Sequence, residues 1–445
     1  MTFNIGLSGL SAANKALNVT GNNIANVATT GFKSSRAEFA DQYAASIRAT
    51  AGKTAVGSGV TTAAVSQQFT QGNITSTGQS LDLAINGNGF FALNDNGQKL
   101  YTRSGAFYSD KEGYVVNVSG SNLQGYNAKD GVIQTGVLTD LKIDSSNLQP
   151  NATSKVSETI NLNSSAAQPT VAQFDPSDVN SYNYTFNTDL YDSQGNAHQL
   201  NQYFVKDTAN NSWTMYTLVD GRNPTDPVNS ATPLANKLSF NSDGTLNTAA
   251  MTPGVVQDGN GVTTGLTVNA GKTFNLDGWV PATQDASGAW AVNGANATAN
   301  GVSLDMLATT QYNAASATSA KSQDGYATGE LSGLSVDGTG ILFANFTNGQ
   351  NKVIGQVAMA NFSNVQGLAP NGGTNWKETF SSGVPIIGTP DTGVMGSLQS
   401  QSLEDSNVDL TAELVNLIKA QSNYQANAKT ISTESTIMQT IIQMS

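Results

Sequence analysis

The chain has 445 residues, a formal charge of −12 and no cysteine, and only 12% of its residues are charged. Its length allows several hydrophobic cores, while the acidic balance argues against non-specific binding to nucleic acid or an anionic membrane, both of which need clustered Lys and Arg. Without cysteine there are no disulfides, thiolate nucleophiles or sulfur-ligated metals, and the single histidine, His198, leaves zinc sites and hydrolytic triads without their usual parts.

From the N-terminus, Leu10, Ala13, Leu17, Thr20, Ile24 and Val27 recur at steps of three and four, which predicts an amphipathic helix over 1–30. Gly6, Gly9 and Gly21 interrupt it, each at about 1 kcal/mol relative to alanine. Such a helix is marginal alone and needs a partner for its apolar stripe. The first residues lack the basic and apolar regions of a cleaved signal peptide, and no run of about 18 apolar residues marks a membrane span. The pattern then breaks at "NNIANVATTGFKSSR", where Gly31 is expected as the left-handed residue that ends the helix. A linking segment is expected over 31–70, returning at 395–404.

Alternating short runs with turn punctuation follow, as in "LDLAINGNGFFALN", "KLYTRSGAFYSD" and "GYVVNVSG". They predict strands and hairpins, with residues 86–89 supplying positive φ. The "NGNGFF" stretch lacks the Lys-Ser/Thr of a phosphate-binding loop and reads as a turn. Polar stretches at 145–181, with Pro150, Pro169 and Pro176, and at 308–325 read as crossings between domains. The expected organisation is nested: a first β domain from 71–145 and 326–394, and an outer β domain inserted at 146–325. Within the insert, Tyr182, Tyr184 and Phe186 alternate before a turn near Gly195. His198 reads as a surface or hairpin histidine, and Asp189 and Asp192 as turn residues rather than catalytic acids. Asn348-Gly349 is expected to form a two-residue hairpin turn.

The C-terminal segment carries the strongest periodicity. Leu410, Leu414, Leu417, Gln421, Tyr424, Ala428, Ile431, Ser435, Met438 and Ile442 form a heptad seam over a helix predicted for 405–445 and roughly 50 Å long, with Asn407 or Asp409 as its cap. Basic residues prevail in 1–50 and acidic ones in 403–445, which agrees with pairing of the ends. Two narrow seams with polar backs bury too little to stand alone and suit lateral assembly. The expected interface is Leu10, Leu17, Ile24, Val27, Leu410, Leu414, Leu417, Tyr424, Ile431, Met438 and Ile442. The fold class is mainly β with terminal α-helices, the β domains nested between coiled-coil-forming helices.

The stretch "LSGLSAANKALNVTGNNIANVATTGFKSSRAEFAD" resembles the N-terminal signature of the bacterial flagellar axial proteins, the rod and hook subunits, matching at Asn23, Ile24, Ala25, Asn26, Thr29, Gly31, Phe32 and Lys33. The C-terminal "SNVDLTAELVNLIKAQSNYQANAKTISTESTIMQTII" is similar to the family's other signature, and "LDLAINGNGFFAL" with "YTRSGAFYSDKEGYVVNVSGSNLQGY" to its first β domain. The large insert, with its "YDSQGNAH" turn, fits hook rather than rod members. The resemblance implies a structural, non-enzymatic subunit without cofactor or metal, which polymerises helically into a curved tube joining rod to filament and transmits torque as a universal joint. It implies an extracellular place in the flagellum, reached without a cleaved signal. Implied partners are further copies of itself, the distal rod protein, the hook cap, the hook–filament junction proteins, the flagellar type III export apparatus and the hook-length control protein, with no nucleic acid and no membrane insertion. The alternatives are a distal rod or cap-like subunit of the same family, or a secreted glycan-binding adhesin.

Overall fold

A computed structural model describes residues 2–42, 57–257 and 263–444. Residues 43–56, part of the expected linking segment, lie outside the described residues. Helices occur at both ends, α1 at Thr2–Ala25 and α2 at Leu410–Met444, and the chain between them is mainly strands. Among the described residues, no helix is long and apolar enough to cross a membrane. The chain divides into two compact units, one of Met1–Ser145, Ser332–Asn345 and Asn351–Ser445, the other of Ser146–Leu331 and Phe346–Gln350.

In the first unit, strands from before and after the insert interleave in one sheet. Asn351–Val357 pairs with Asn122–Lys129, which pairs with Phe90–Asp95, itself paired with Gln98–Thr102. Alternation buries Phe90, Tyr101, Phe362 and Trp376 together, with Tyr101 and Phe362 edge to face at 4.8 Å. Chain entry and return are zipped side by side: Ile74–Ser76 pairs with Ser402–Glu404, and Leu83–Asn86 with Ser397–Ser400. A ribbon of β1 (Ser35–Asp41) and β2 (Val60–Gln67) is antiparallel and is tied to α1 where the Val60 amide donates to Ser8 Oγ at 3.2 Å.

The second unit sets a six-stranded sheet and a four-stranded sheet around one core. In the four-stranded sheet (Tyr184–Tyr191, Ala197–Lys206, Ser212–Val219, Leu234–Ser239), Phe204 opposes Met215 on the core face. On the other face Tyr203 opposes Tyr216, and Phe174 stacks on Tyr216 at 4.2 Å. The turn at 346–350 has three loop residues, not two. The Gly349 amide donates to the Phe346 carbonyl at 3.0 Å and the Phe346 amide to the Gln350 carbonyl at 2.9 Å, and Gly349 has φ +79°. Asn348 does not take the left-handed position expected of it, because its side chain is occupied in accepting from the Gln350 amide and donating to the Ala327 carbonyl.

His198 lies in the hairpin of Tyr184–Tyr191 and Ala197–Lys206, one of its two expected places, and not at the surface. Strand pairing turns it inward to 3% exposure, with Nδ1 2.7 Å from Asp220 and Nε2 3.3 Å from Asp192. Asp192 does hold the turn, accepting from the Gln194 and Asn196 amides at 2.9 Å, whereas Asp189 is an exposed mid-strand residue opposite Gln199. Burial alone would lower the His198 pKa, but the Asp220 and Asp192 carboxylates outweigh it and the net shift is upward. On the strand Lys155–Asn161 of the same unit, Glu158 is 1% exposed. Burial pushes it up to about 7, against a hydrogen bond from Thr188, contact with Gln202 and the charge of Lys321. The Glu158 Oε2 and Gln202 Oε1 atoms are both buried without a hydrogen-bond partner.

Both shifts have one sign for stability. The raised His198 pKa contributes stability below its unfolded value of 6.5, and this is lost as pH rises through the folded value. The raised Glu158 pKa leaves folding unaffected below 4.5 and destabilises it as pH climbs towards 7. The urea midpoint of this unit, followed by tryptophan fluorescence in a Trp376→Phe background, should therefore fall between pH 5 and pH 8. Glu158→Gln should flatten the lower part of that profile; an unchanged slope in the variant would remove Glu158 from the account.

Candidate assembly interface

The termini pair as antiparallel helices: Gly6 faces Ile431, Gly9 faces Asn427, and near the other end Asn23 Nδ2 donates to Glu413 Oε1 at 3.3 Å. A Cβ on Gly6 would lie 3.0 Å from Ile431 Cγ1, and one on Gly9 only 2.4 Å from Asn427 Oδ1. These glycines, helix-weakening by propensity, are what make room for the Ile431 and Asn427 side chains of α2 against α1. Gly21 has no such neighbour. Asp409 caps α2, its Oδ1 accepting from the Thr411 and Ala412 amides at 2.9 and 3.1 Å. Asn407 does different work, accepting from the Ser34 amide and donating to the Gln68 carbonyl, both at 2.7 Å.

The expected heptad seam is divided by this pairing. On α1, Leu10, Leu17 and Ile24 are half-buried, and Ala13 and Thr20 are buried between them. Val27 is half-buried in the turn beyond the helix end. On α2 the covered stripe runs through Glu413, Leu417, Ala420, Asn427 and Ile431. Leu410, Leu414, Tyr424, Met438 and Ile442 remain 43%, 46%, 37%, 52% and 72% exposed, and Val415, Ile418, Ile437 and Ile441 are exposed beside them. Within one chain, α1 therefore covers only part of the apolar surface of α2.

The motif after α1 is a joint. The helix stops at Ala25, not at Gly31, because Asn26 and Thr29 carry the chain through further turns, with Thr29 Oγ1 donating to Asn26 Oδ1 at 3.1 Å. Gly31 is left-handed (φ +68°), but its amide donates to the Glu404 carbonyl at 2.8 Å, and a Cβ there would meet the Ser104 amide nitrogen at 2.4 Å. Its requirement is a close approach to the β domain rather than a helix cap. Asn23, 1% exposed, pairs both its amide groups with Ser35, accepting from the amide at 2.9 Å and donating to the carbonyl at 2.8 Å. It thereby fixes the direction in which β1 leaves the helix.

Lys33 is fully buried and donates to Glu404 Oε1 at 2.5 Å and to the Thr70 carbonyl at 2.8 Å. Arg103 reaches the other carboxylate oxygen at 3.3 Å, donates to the Gly87 carbonyl at 2.8 Å, and lies over the Phe90 ring at 5.3 Å. The Gly72 amide is a further donor to Glu404. Burial lowers the Lys33 pKa, with the Glu404 carboxylate opposing that shift. Glu404 and Arg103 were not singled out by the sequence reading. The available signal was the motif lysine itself, since a lysine among small residues at a chain crossing needs a carboxylate once buried.

Four family models cover most of the chain: "Flagella basal body rod protein" at 3–33, "Flagellar hook protein FlgE/F/G D1 domain" at 84–173, "Flagellar basal body protein FlaE D2 domain" at 161–326 and "Flagellar basal body rod FlgEFG protein C-terminal" at 399–444. Over 449 residues the chain is 40% identical to the flagellar hook protein FlgE of Escherichia coli (strain K12), covering 100% of both. The chain belongs to the flagellar hook protein FlgE family. FlgE of Salmonella typhimurium is 40% identical over 450 residues, with 100% of each covered. FlgE of Borreliella burgdorferi is 32% identical, covering 99% of this chain and 98% of its own. The FlgE family is a set of self-polymerising structural subunits of the flagellar axis, and the paired ends described above fall within the two segments matched by the rod-protein models.

Removing one partner from a buried ion pair typically costs about 3–5 kcal/mol. Glu404→Gln, which leaves both Lys33 and Arg103 without their carboxylate, should destabilise the first unit by about that amount. Urea unfolding followed through Trp376 measures it, and a loss well under 1 kcal/mol would mean that water reaches the cluster.

Proposed function

We propose that this chain is the structural subunit of the bacterial flagellar hook, polymerising helically into a curved tube that joins rod to filament and transmits torque as a universal joint. One observation carries the reading: after pairing with α1, α2 still presents Leu410, Leu414, Ile418, Ile437, Met438, Ile441 and Ile442 to water. Burying a side chain of this size is favourable by about 1.5–3 kcal/mol, so neighbouring copies that cover this stripe gain substantially from doing so. The thin α1–α2 seam leaves the ends to complete their order in the assembled tube, which suits a subunit exported in an incompletely ordered form. In this reading the remaining partners are the distal rod protein, hook cap, junction proteins, export apparatus and length-control protein, and the place of action is outside the cell.

The role is geometric rather than catalytic: His198, the one histidine, is a buried strand residue occupied by two carboxylates. The chain as a whole is rich in Asn, Gln, Ser and Thr rather than in charge. Such groups exchange hydrogen bonds with water at modest net cost, which suits contacts that slide as a tube bends.

Leu414→Asp tests the reading cleanly, because Leu414 is already 46% exposed in the single chain. The variant should keep the unfolding midpoint of both units yet fail to polymerise, since assembly would bury an unpaired carboxylate. Tubes of normal length from this variant, seen by electron microscopy, would contradict the assignment of the stripe. Circular dichroism of dilute monomer should also show less helix than the polymer does; strongly protected amides across 410–442 in the monomer would refute late ordering of the ends.

A further inference from the structure

The first unit carries an aromatic knob that its own fold does not use. Phe380 is 103% exposed, and Val384 and Ile386 beside it are 86% and 58% exposed. The turn that holds Phe380 is nevertheless tightly built. Thr379 Oγ1 donates to the Gly367 carbonyl at 2.6 Å, Ser382 Oγ to the Thr379 carbonyl at 2.9 Å, and Asn364 Nδ2 to the Ser381 carbonyl at 2.9 Å. Ser382 is fully buried, and a Cβ on Gly367 would lie 2.4 Å from the backbone of residues 381 and 382. A rigid turn that displays a bare phenyl ring contributes nothing to its own core, but it is a pre-organised anchor for a partner.

The same unit holds a cleft of about 640 Å³ beside the motif joint, where Phe32, Ala106, Val118, Pro370 and Trp376 form an apolar part of walls otherwise lined mostly by Asn, Gln, Ser and Thr. Its one charged lining residue is Lys33, which is already paired to Glu404. The knob is equally neutral, with no charged residue from Thr379 to Pro390. In a chain of charge −12, two facing surfaces without charge meet with no local repulsion between like charges, and the knob and the cleft are two such surfaces. Helical symmetry also keeps each part of the chain at one radius, so a loop of the β domain meets the β domain of the next copy. A head-to-tail contact of this kind needs two different, complementary patches on the same chain.

We propose that Phe380 of one copy inserts into the cleft beside the Gly31-Phe32-Lys33 joint of a neighbouring copy. The inference rests on the assembly reading above and adds to it a contact outside the terminal helices, one that couples packing of the β domains to the place where the helices join them.

The natural absence of cysteine gives a direct test in the full chain. Polymers of the Phe380→Cys, Val118→Cys double variant, oxidised after assembly, should yield a ladder of dimers and higher multimers on denaturing gels, with no ladder from the native chain. Phe380→Ser should raise the critical concentration for assembly at least fivefold while leaving the unfolding midpoint unchanged, because the ring touches nothing in the monomer. Polymers that form normally but give no ladder, or a bond only within single chains, would overturn the contact and leave the helix-based assembly standing. A native chain that never polymerises would overturn both.

Discussion

Everything in the first unit hangs on closing a loop: the chain must leave a helical pair, build β structure and return to the same place. The Glu404 carboxylate does this by holding Lys33 from the outgoing turn and Arg103 from the β domain at once, with the Gly72 amide as a further donor. Around it Asn407 bonds the Ser34 amide and Gln68, and Asn23 bonds both backbone groups of Ser35. A buried charge cluster is weak evidence for net stability but strongly penalises any alternative arrangement that separates its members. Here that penalty fixes how the helices are set on the β domain, which is the property a tube built from such subunits requires.

The pairing of the ends explains what the isolated helices could not. Gly6 and Gly9 weaken α1 as a free helix and strengthen it as a partner, since the Ile431 and Asn427 side chains of α2 occupy the space a Cβ would need there. The apolar residues of α2 then divide between a covered stripe and an open one. A helix with two apolar faces and one intramolecular partner is incomplete by design, and the incompleteness is itself the drive to assemble.

Much of this was legible in the sequence, for physical reasons that differ by element. The terminal helices, the Asp409 cap and the strand-rich middle follow from local periodicity and turn chemistry, which need no tertiary information. The position of the seam did not follow, because a heptad of Leu and Ile marks an apolar stripe without saying which edge of it meets α1 and which stays open. Gly31 was read as a cap from its type alone, whereas its requirement comes from Ser104, distant in sequence. The sequence marks His198 as a surface or hairpin residue and the hairpin holds, but its burial is not legible because a lone histidine carries no visible partner; Asp220, from a different strand end, supplies it only once the sheet is formed. Glu404 was noted as part of an acidic C-terminal bias, and its role as the hub became visible only with Lys33 and Arg103 in place.

The second unit leaves and re-enters through a doorway of its own. Leu148 bridges Gly329, and Asn151 bridges Tyr326, so the entering and leaving segments of this unit lie against each other. Whatever is threaded between them begins and ends at one point. A change in the length of the insert beyond this doorway therefore leaves the spacing of its two ends unchanged, and with it the register of the strands they lead to.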